Sequence, residues 1–155
     1  MTPRPVAQHE RRPVLRALIN SGIAPEALCI QALDRAQFIP FEHTFPPLFH
    51  GIRPCIAYFA LRRRATGITL GTRIYVRENF FGRQGRLPLY FVTHEVAHVV
   101  QFMRDGTPTF LSRYLGEYAL MRMRGVDDRS AYLAISYERQ ARRVESFLPP
   151  TDQVH

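Results

Sequence analysis

The sequence contains no lysine, and all 21 of its basic residues are arginine. A catalytic Schiff base and a phosphate-binding P-loop both need a lysine amine, so the sequence excludes both mechanisms. The arginines outnumber the 13 acidic residues and give a formal net charge of +8, which favours acidic partners. They are scattered, however, with one run of three at 62–64, and this indicates a solvated basic surface. We therefore do not expect nucleic acid as a partner.

Cysteines and long apolar runs are also scarce. Cys29 and Cys55 are isolated in apolar surroundings without CxxC spacing, which predicts buried free thiols and a reducing compartment. No run of eighteen apolar residues exists, so no membrane span is predicted. Residues 1–13 are polar and lack the apolar region of a signal peptide. We expect a cytoplasmic protein, with export by a specialised secretion system as an alternative.

Length and composition indicate one domain. A chain of 155 residues suits a single domain over 1–155, and 46% hydrophobic with 22% charged residues is typical of globular proteins. Residues 1–12 are rich in Arg, Pro and His and predict a loose N-terminal tail. The residues with candidate chemistry fall within a core at 67–148.

One motif dominates the chemistry that the sequence predicts. Apolar residues recur at three- and four-residue steps over 87–103, which predicts a buried helix. Within it, His94 and His98 are four residues apart, so both imidazoles lie on one face and can bind one metal ion. Glu95 is placed to polarise a metal-bound water. This HExxH pattern predicts a zinc ion and hydrolysis of peptide bonds. A surface pair of histidines is the alternative, and the apolar surroundings disfavour it.

The third ligand is expected to be a carboxylate. A catalytic zinc site has three protein ligands and one open position, and no histidine follows His98 before the terminal His155. Three downstream glutamates remain as candidates. Glu138 lies in the apolar stripe of the last predicted helix, where a carboxylate needs a cation, so we favour it. Glu117 is the alternative, while Glu145 lies close to the helix end.

The periodicity predicts a mostly helical α+β fold. Residues 66–76 are rich in β-branched side chains and contain a central Gly71, which predicts two short antiparallel strands joined at 71–72. The proline- and aromatic-rich stretch 38–54 predicts an ordered coil, and 55–61 fits either a strand or a helix. Helices are predicted at 13–19, 25–36, 87–103, 108–124 and from 127 or 128 to 148.

Parts of the sequence resemble a known group of proteins. The segments ITLG at 68–71, IYV at 74–76 and HEVAHVVQ at 94–101 resemble the metallopeptidase domain carried by cargo proteins of bacterial contractile injection systems. The segment YERQA at 137–141 is similar to the Glu-x-x-Ala ligand helix of gluzincins, including the CAAX-protease type. Together the resemblance covers roughly 67–148.

The resemblance implies a small zincin-like domain in which the hairpin packs on the active-site helix. It also implies His94, His98 and Glu138 as zinc ligands and Glu95 as the general base. Its expected partner is a peptide or protein substrate, bound in extended form along the edge of the strand region 68–76. An inhibitory or regulatory protein is a further possible partner.

One position departs from the gluzincin pattern. CAAX-type gluzincins often carry Asp four residues after the ligand Glu, and this sequence has Arg142 there. The supporting carboxylate is therefore either missing or supplied from elsewhere, with Asp105 and Glu117 as candidates. The departure and the basic charge leave a rival interpretation, a non-enzymatic binding or regulatory module that contacts nucleic acid. Donors for an oxyanion cannot be ranked from the sequence; the candidates are Tyr114, Tyr132, Tyr137 and Arg142.

Overall fold

The computed structural model of the protein describes residues 3–41, 66–82 and 85–150. Within these ranges the fold is α+β and mostly helical, with a four-stranded mixed sheet, which confirms the predicted class. The elements in chain order are β1 (Arg4–Pro5), α1 (Gln8–Ser21), α2 (Glu26–Arg35), β2 (Gln37–Phe41), β3 (Gly67–Leu70), β4 (Arg73–Arg77), a 3-10 turn (Glu78–Phe80), α3 (Leu89–Asp105), α4 (Thr107–Met123), α5 (Asp128–Ala134) and α6 (Ser136–Glu145).

The sheet has the strand order β1-β2-β4-β3. Strands β3 and β4 form the predicted antiparallel hairpin, with Ile68 opposite Tyr75 and Leu70 opposite Arg73. The turn contains Gly71 at φ 71°, a left-handed conformation that glycine adopts without steric cost. The hairpin prediction is therefore confirmed, and β3 packs directly on α3.

Strand β2 corrects the prediction of a coil from residue 38 onward. It runs parallel to β4, with Phe38 opposite Ile74 and Pro40 opposite Val76. Proline argues against a central strand because it lacks an N–H, but β1 pairs only with Gln37 and Phe38, so Pro40 lies beyond the part of β2 that β1 covers. The rest of that coil, 42–54, and the unassigned stretch 55–61 lie outside the described residues.

The N-terminal segment is ordered from Arg4, so the prediction of a loose tail over 1–12 was wrong for its described residues. Helix α1 begins at Gln8, and the Glu10 side chain is buried although it is charged. Its carboxylate accepts hydrogen bonds from Arg4 Nη1 at 3.0 Å and from the Ala7 amide at 2.8 Å. These bonds compensate the buried charge and fix the first turn. The periodicity of apolar residues along the sequence cannot indicate such a polar contact.

Helix α3 is the central element of the core. It packs against β3, α1, α2, α4 and α6. From Phe91 to Phe102 every residue except His94 is buried. A helix that is buried on all sides must place its polar side chains inside the protein. The structure therefore confirms the predicted buried helix and brings its histidines and Glu95 into the interior.

The predicted final helix is broken into two, which corrects the prediction of one helix to residue 148. Asp127 begins α5 by accepting the Ser130 amide at 3.0 Å, and the chain bends at Ile135, which has ψ 130°. At the bend, Glu117 of α4 accepts the Ser136 amide at 2.6 Å and the Ser136 hydroxyl at 2.8 Å. A contact from another helix thus starts α6, and the local sequence carries no sign of it.

Among the described residues, no helix has both the length and the apolar character that crossing a membrane requires. Cys29 is a buried free cysteine, as predicted. Cys55 lies outside the described part of the chain.

Candidate metal centre

Two helices bring three of the predicted site residues together. The Nε2 atoms of His94 and His98 on α3 lie 3.1 Å apart. Glu138 of α6 places Oε2 3.2 Å from Nε2 of His94 and Oε1 3.2 Å from Nε2 of His98. Zinc bonds to nitrogen and oxygen are about 2.0–2.2 Å long, so two ligand atoms in a tetrahedral site lie roughly 3.3 Å apart. The two nitrogens, and each nitrogen with the oxygen that faces it, therefore lie close to this separation, and one ligand atom from each of the three side chains lies within 4.8 Å of the others.

The packing of α6 on α3 explains why Glu138 reaches the histidines. Ala141 and Val144 follow Glu138 on the same buried face of α6. The small Ala141 lets the two helices approach closely, and Glu138 itself is only 2% exposed. The sequence prediction that Glu138 faces the core is confirmed.

The other two glutamates do not join this cluster. The Glu117 carboxylate is bonded to Ser136 and to Arg113, whose Nε lies 2.9 Å from Oε1. The Glu145 carboxylate contacts the opposite nitrogen of the His94 ring, with Oε1 2.5 Å from Nδ1. Only Glu138, of the three candidates from the sequence, lies against the Nε2 atoms.

We expect Glu117→Ala to destabilise the protein by about 1 kcal/mol, because it removes the side chain that caps α6. The variant should still bind zinc at the wild-type stoichiometry, since the Glu117 carboxylate does not contact either histidine. Urea unfolding and elemental analysis measure the two quantities on the same preparation. Loss of the metal from a folded Glu117→Ala protein would contradict this expectation and would show that Glu117 is needed for binding, either as a ligand or through its hold on α6.

The hydrogen bonds of Gln101 determine the tautomer of His98. The amide nitrogen of Gln101 donates to the Tyr137 carbonyl at 3.0 Å and to Gln140 Oε1 at 2.9 Å. Its amide oxygen therefore faces His98 and lies 2.7 Å from Nδ1. Because an amide oxygen only accepts, Nδ1 of His98 carries the proton. In the neutral ring, Nε2 then points its lone pair at His94 and Glu138.

The His94 ring also carries a proton on Nδ1, because this nitrogen donates to the Glu145 carboxylate. Two nitrogen lone pairs and a carboxylate thus face one another in the interior, which is unfavourable without a positive charge between them. Oε2 of Glu138 is buried and accepts no hydrogen bond from the described part of the chain. These donors fit a cation such as zinc, whose ligands are neutral imidazoles and a carboxylate.

The pKa values of His94 and Glu138 in the metal-free protein also indicate that the cluster requires a positive charge. Burial lowers the pKa of His94, but the neighbouring carboxylates of Glu138 and Glu145 outweigh it and raise that pKa to about 10. Burial likewise opposes ionisation of Glu138, yet the imidazoles of His98 and His94 hold the pKa of Glu138 well below its usual range. In the metal-free protein a proton on His94 therefore supplies the positive charge that the cluster requires.

Glu95 lies beside this cluster and is held by β3. The Thr69 hydroxyl donates to Oε2 of Glu95 at 2.6 Å, and Glu95 is buried. Its negative charge contributes to the raised pKa values of His94, Tyr114 and Tyr132, so the carboxylate acts on all three groups. Glu95 is not a member of the group of His94, His98 and Glu138 that could hold a metal ion.

Close contact between β3 and α3 depends on Gly67. A Cβ at this position would lie 2.6 Å from Cζ of Phe91 and 3.4 Å from Oε1 of Glu95. Any larger residue must displace the Phe91 ring, which packs edge-on against Phe80. The absence of a side chain at Gly67 thus lets the strand approach Glu95.

We expect Gly67→Ala to destabilise the protein by about 1–3 kcal/mol through overpacking. It should also weaken the hydrogen bond from Thr69 to Glu95, because the added methyl group must displace the Phe91 ring or the strand that carries Thr69. Zinc content should not change. Gly116→Ala is the matched control, since a Cβ at Gly116 meets no atom within 4 Å. Alanine at Gly116, inside α4, should be neutral or stabilising, so an unfolding free energy of Gly67→Ala at or above that of the wild type would contradict this account of Gly67.

The four candidate oxyanion donors separate into two groups. The Tyr114 hydroxyl donates to Glu138 Oε1 at 2.8 Å. Burial and the charge of Glu138 raise the pKa of Tyr114 and of Tyr132, so both remain protonated donors. Arg142 also borders the site, with Nη1 3.8 Å from Glu138 Oε2. Tyr137 instead donates its hydroxyl proton to Asp105, which separates it from the other three candidates.

Neither Asp105 nor Glu117 supplies the carboxylate that was expected to hold one of the histidines. Asp105 is bonded to Arg104 and Tyr137, and Glu117 caps α6, so neither contacts a ligand histidine. Gln101 and Glu145, which the structure places against the histidines, were not predicted as their partners from the sequence. The sequence could have indicated Gln101 as a partner, because it is a polar residue on the predicted buried helix, three positions after His98.

Comparison of the chain with protein families, with curated proteins and with solved structures gives no match. The resemblance to gluzincins therefore remains a prediction based on the motifs.

Proposed function

We propose that the protein is a zinc-dependent metallopeptidase. His94, His98 and Glu138 would bind the zinc ion, and Glu95 would serve as the general base. The observation that carries the proposal is the cluster of His94, His98 and Glu138, in which the two Nε2 atoms lie 3.1 Å apart and each faces one Glu138 oxygen at 3.2 Å. Two histidines and one glutamate are a ligand set of catalytic zinc, whereas structural sites usually have four protein ligands. The described residues supply no fourth donor to this group.

A bound zinc ion would lower the pKa of a water molecule and polarise the peptide carbonyl. The residues of the protein carry the proton transfers. Glu95 accepts a proton from the attacking water and then donates it to the leaving amine. Thr69 orients the Glu95 carboxylate. The hydroxyls of Tyr114 and Tyr132 are protonated and lie beside Glu138, and either would have to release the Glu138 carboxylate to donate to the developing oxyanion.

The position of β3 favours a peptide as the substrate. It lies at the end of the sheet, paired with β4 on one side, and no strand in the described ranges pairs with its other side. An extended peptide can therefore add to this edge by backbone hydrogen bonds. Because Thr69 of β3 contacts Glu95, such a peptide would lie beside the proposed base. This arrangement supports the expectation of a peptide or protein substrate.

The test combines metal analysis with peptide cleavage. We expect about one zinc ion per chain, and cleavage of at least one member of a mixed peptide library detected by mass spectrometry. A chelator should abolish the cleavage and added zinc should restore it. A protein that takes up no zinc would overturn the proposal. Tight, salt-sensitive binding of nucleic acid by that zinc-free protein would then favour the rival, a non-enzymatic binding module.

A further inference from the structure

The two histidines of the cluster have chemically different partners at Nδ1. His98 donates to the neutral amide of Gln101, whereas His94 donates to the charged carboxylate of Glu145. The Glu145 contact is short, at 2.5 Å, and the side chain is 23% exposed. A hydrogen bond to an ionised acceptor is about twice as strong as one between neutral groups. The hydrogen bond at Nδ1 is therefore expected to be stronger for His94 than for His98.

Helix geometry explains how Glu145 reaches His94. Glu145 follows Glu138 by seven residues, which is nearly two full turns, so both side chains project from one face of α6. Ala141 lies between them on this face and leaves the space open. One helix therefore delivers a carboxylate to each nitrogen of the His94 ring.

Arg142 is also on this helix, but it cannot orient His94 in the same way. Its guanidinium donates to the Leu133 carbonyl and lies 3.8 Å from Glu138 Oε2. A guanidinium has no acceptor, so it cannot receive the Nδ1 proton of an imidazole. The position that carries Asp in many CAAX-type gluzincins is thus chemically unsuited to this task here.

We propose that Glu145 is a positioning residue of the metal centre, and that it fixes the ring orientation and tautomer of His94 for metal binding. The inference rests on the proposed function, since it assigns how one ligand of that site is held. A carboxylate behind a ligand histidine keeps the ring in place and makes the coordinating nitrogen a better donor. Loss of such a partner typically weakens metal binding by about 10–100-fold.

The experiment measures the zinc affinity of the full chain by competition with a chromophoric chelator. Glu145→Gln keeps an acceptor and removes the charge, while Glu145→Ala removes both. We expect about tenfold weaker binding for Glu145→Gln and up to about 100-fold for Glu145→Ala. Glu26→Gln is the matched control, because Glu26 is an exposed glutamate of α2. Its affinity should equal that of the wild type.

Imidazole ¹⁵N–¹H spectra add a readout that general destabilisation would not move. The zinc-bound wild type should show His94 protonated at Nδ1, and this signal should weaken or exchange with solvent in Glu145→Ala while the His98 signal persists. Wild-type affinity and an unchanged His94 signal in both Glu145 variants would overturn the inference. A wild type without zinc affinity would instead overturn the proposed function, so the two failures are distinguishable.

Discussion

Replacing Glu95 with glutamine is expected to leave zinc bound and to lower the rate of peptide hydrolysis by at least about 100-fold. Glutamine has nearly the shape of glutamate, and its amide oxygen can still accept the Thr69 hydroxyl, which lies 2.6 Å from Oε2 in the wild type. An amide cannot accept the proton of the attacking water, however. The fold and the three donor side chains should therefore persist while the general base is lost.

The measurement compares kcat/KM and zinc content for the wild type, Glu95→Gln and Glu26→Gln on a peptide identified in the library screen. The Glu26 control makes the same chemical change at an exposed position, and it should behave as the wild type does. Thr69→Val should fall between the two, because it keeps the base and removes its orienting bond. Wild-type turnover by a zinc-bound Glu95→Gln protein would rule out Glu95 as the base.

Local patterns were sufficient to predict the parts of the fold that depend on one segment alone. The apolar period at 87–103 predicted the buried helix α3, which spans Leu89–Asp105. The β-branched residues around Gly71 predicted the hairpin and its turn. The stripe around Glu138 predicted that this side chain faces inward, as its 2% exposure confirms. Each of these features follows from the period of side chains along one element.

The features that the sequence did not reveal depend on contacts between distant segments. The Arg4 guanidinium compensates the buried charge of Glu10. This contact orders the start of α1, although the polarity of these residues suggests a loose tail. Glu117 of α4 interrupts the last predicted helix at Ser136. Glu145 reaches His94 across 51 positions of the chain. Side-chain hydrogen bonds of this kind have no periodicity, so a pattern of apolar residues cannot indicate them.

The interrupted helix affects the site directly. Because α6 begins at Ser136, its first turn contains Glu138, and two residues of α4 hold that turn. Glu117 bonds the Ser136 amide, and Tyr114, three residues earlier on α4, donates to the Glu138 carboxylate. The buried carboxylate is thus oriented before any metal binds, which reduces the entropy that binding would otherwise cost. A continuous helix from 127 to 148 would not offer the Ser136 amide to Glu117.

Replacing Glu138 with alanine should remove zinc binding under conditions in which Glu117→Ala retains it. The alanine variant leaves two imidazole donors without the carboxylate that lies 3.2 Å from each. Loss of a direct ligand should weaken binding by more than the about 100-fold that loss of an outer partner causes. The metal-free variant should be less stable than the wild type but should still fold, because Glu145 still accepts the Nδ1 proton of His94.

Thermal unfolding with and without zinc distinguishes a lost ligand from a damaged fold. A ligand at 100 times its Kd stabilises the native state by about 2.7 kcal/mol, so zinc should raise the Tm of the wild type and of Glu117→Ala. Glu138→Ala should unfold cooperatively at a Tm that zinc does not change. A zinc-dependent rise in Tm for Glu138→Ala, together with none for Glu117→Ala, would contradict the ligand assignment. Both variants replace by alanine a glutamate at the junction of α4 and α6, and Glu138 is the one that faces the histidines. The comparison of the two variants therefore isolates the effect of that carboxylate.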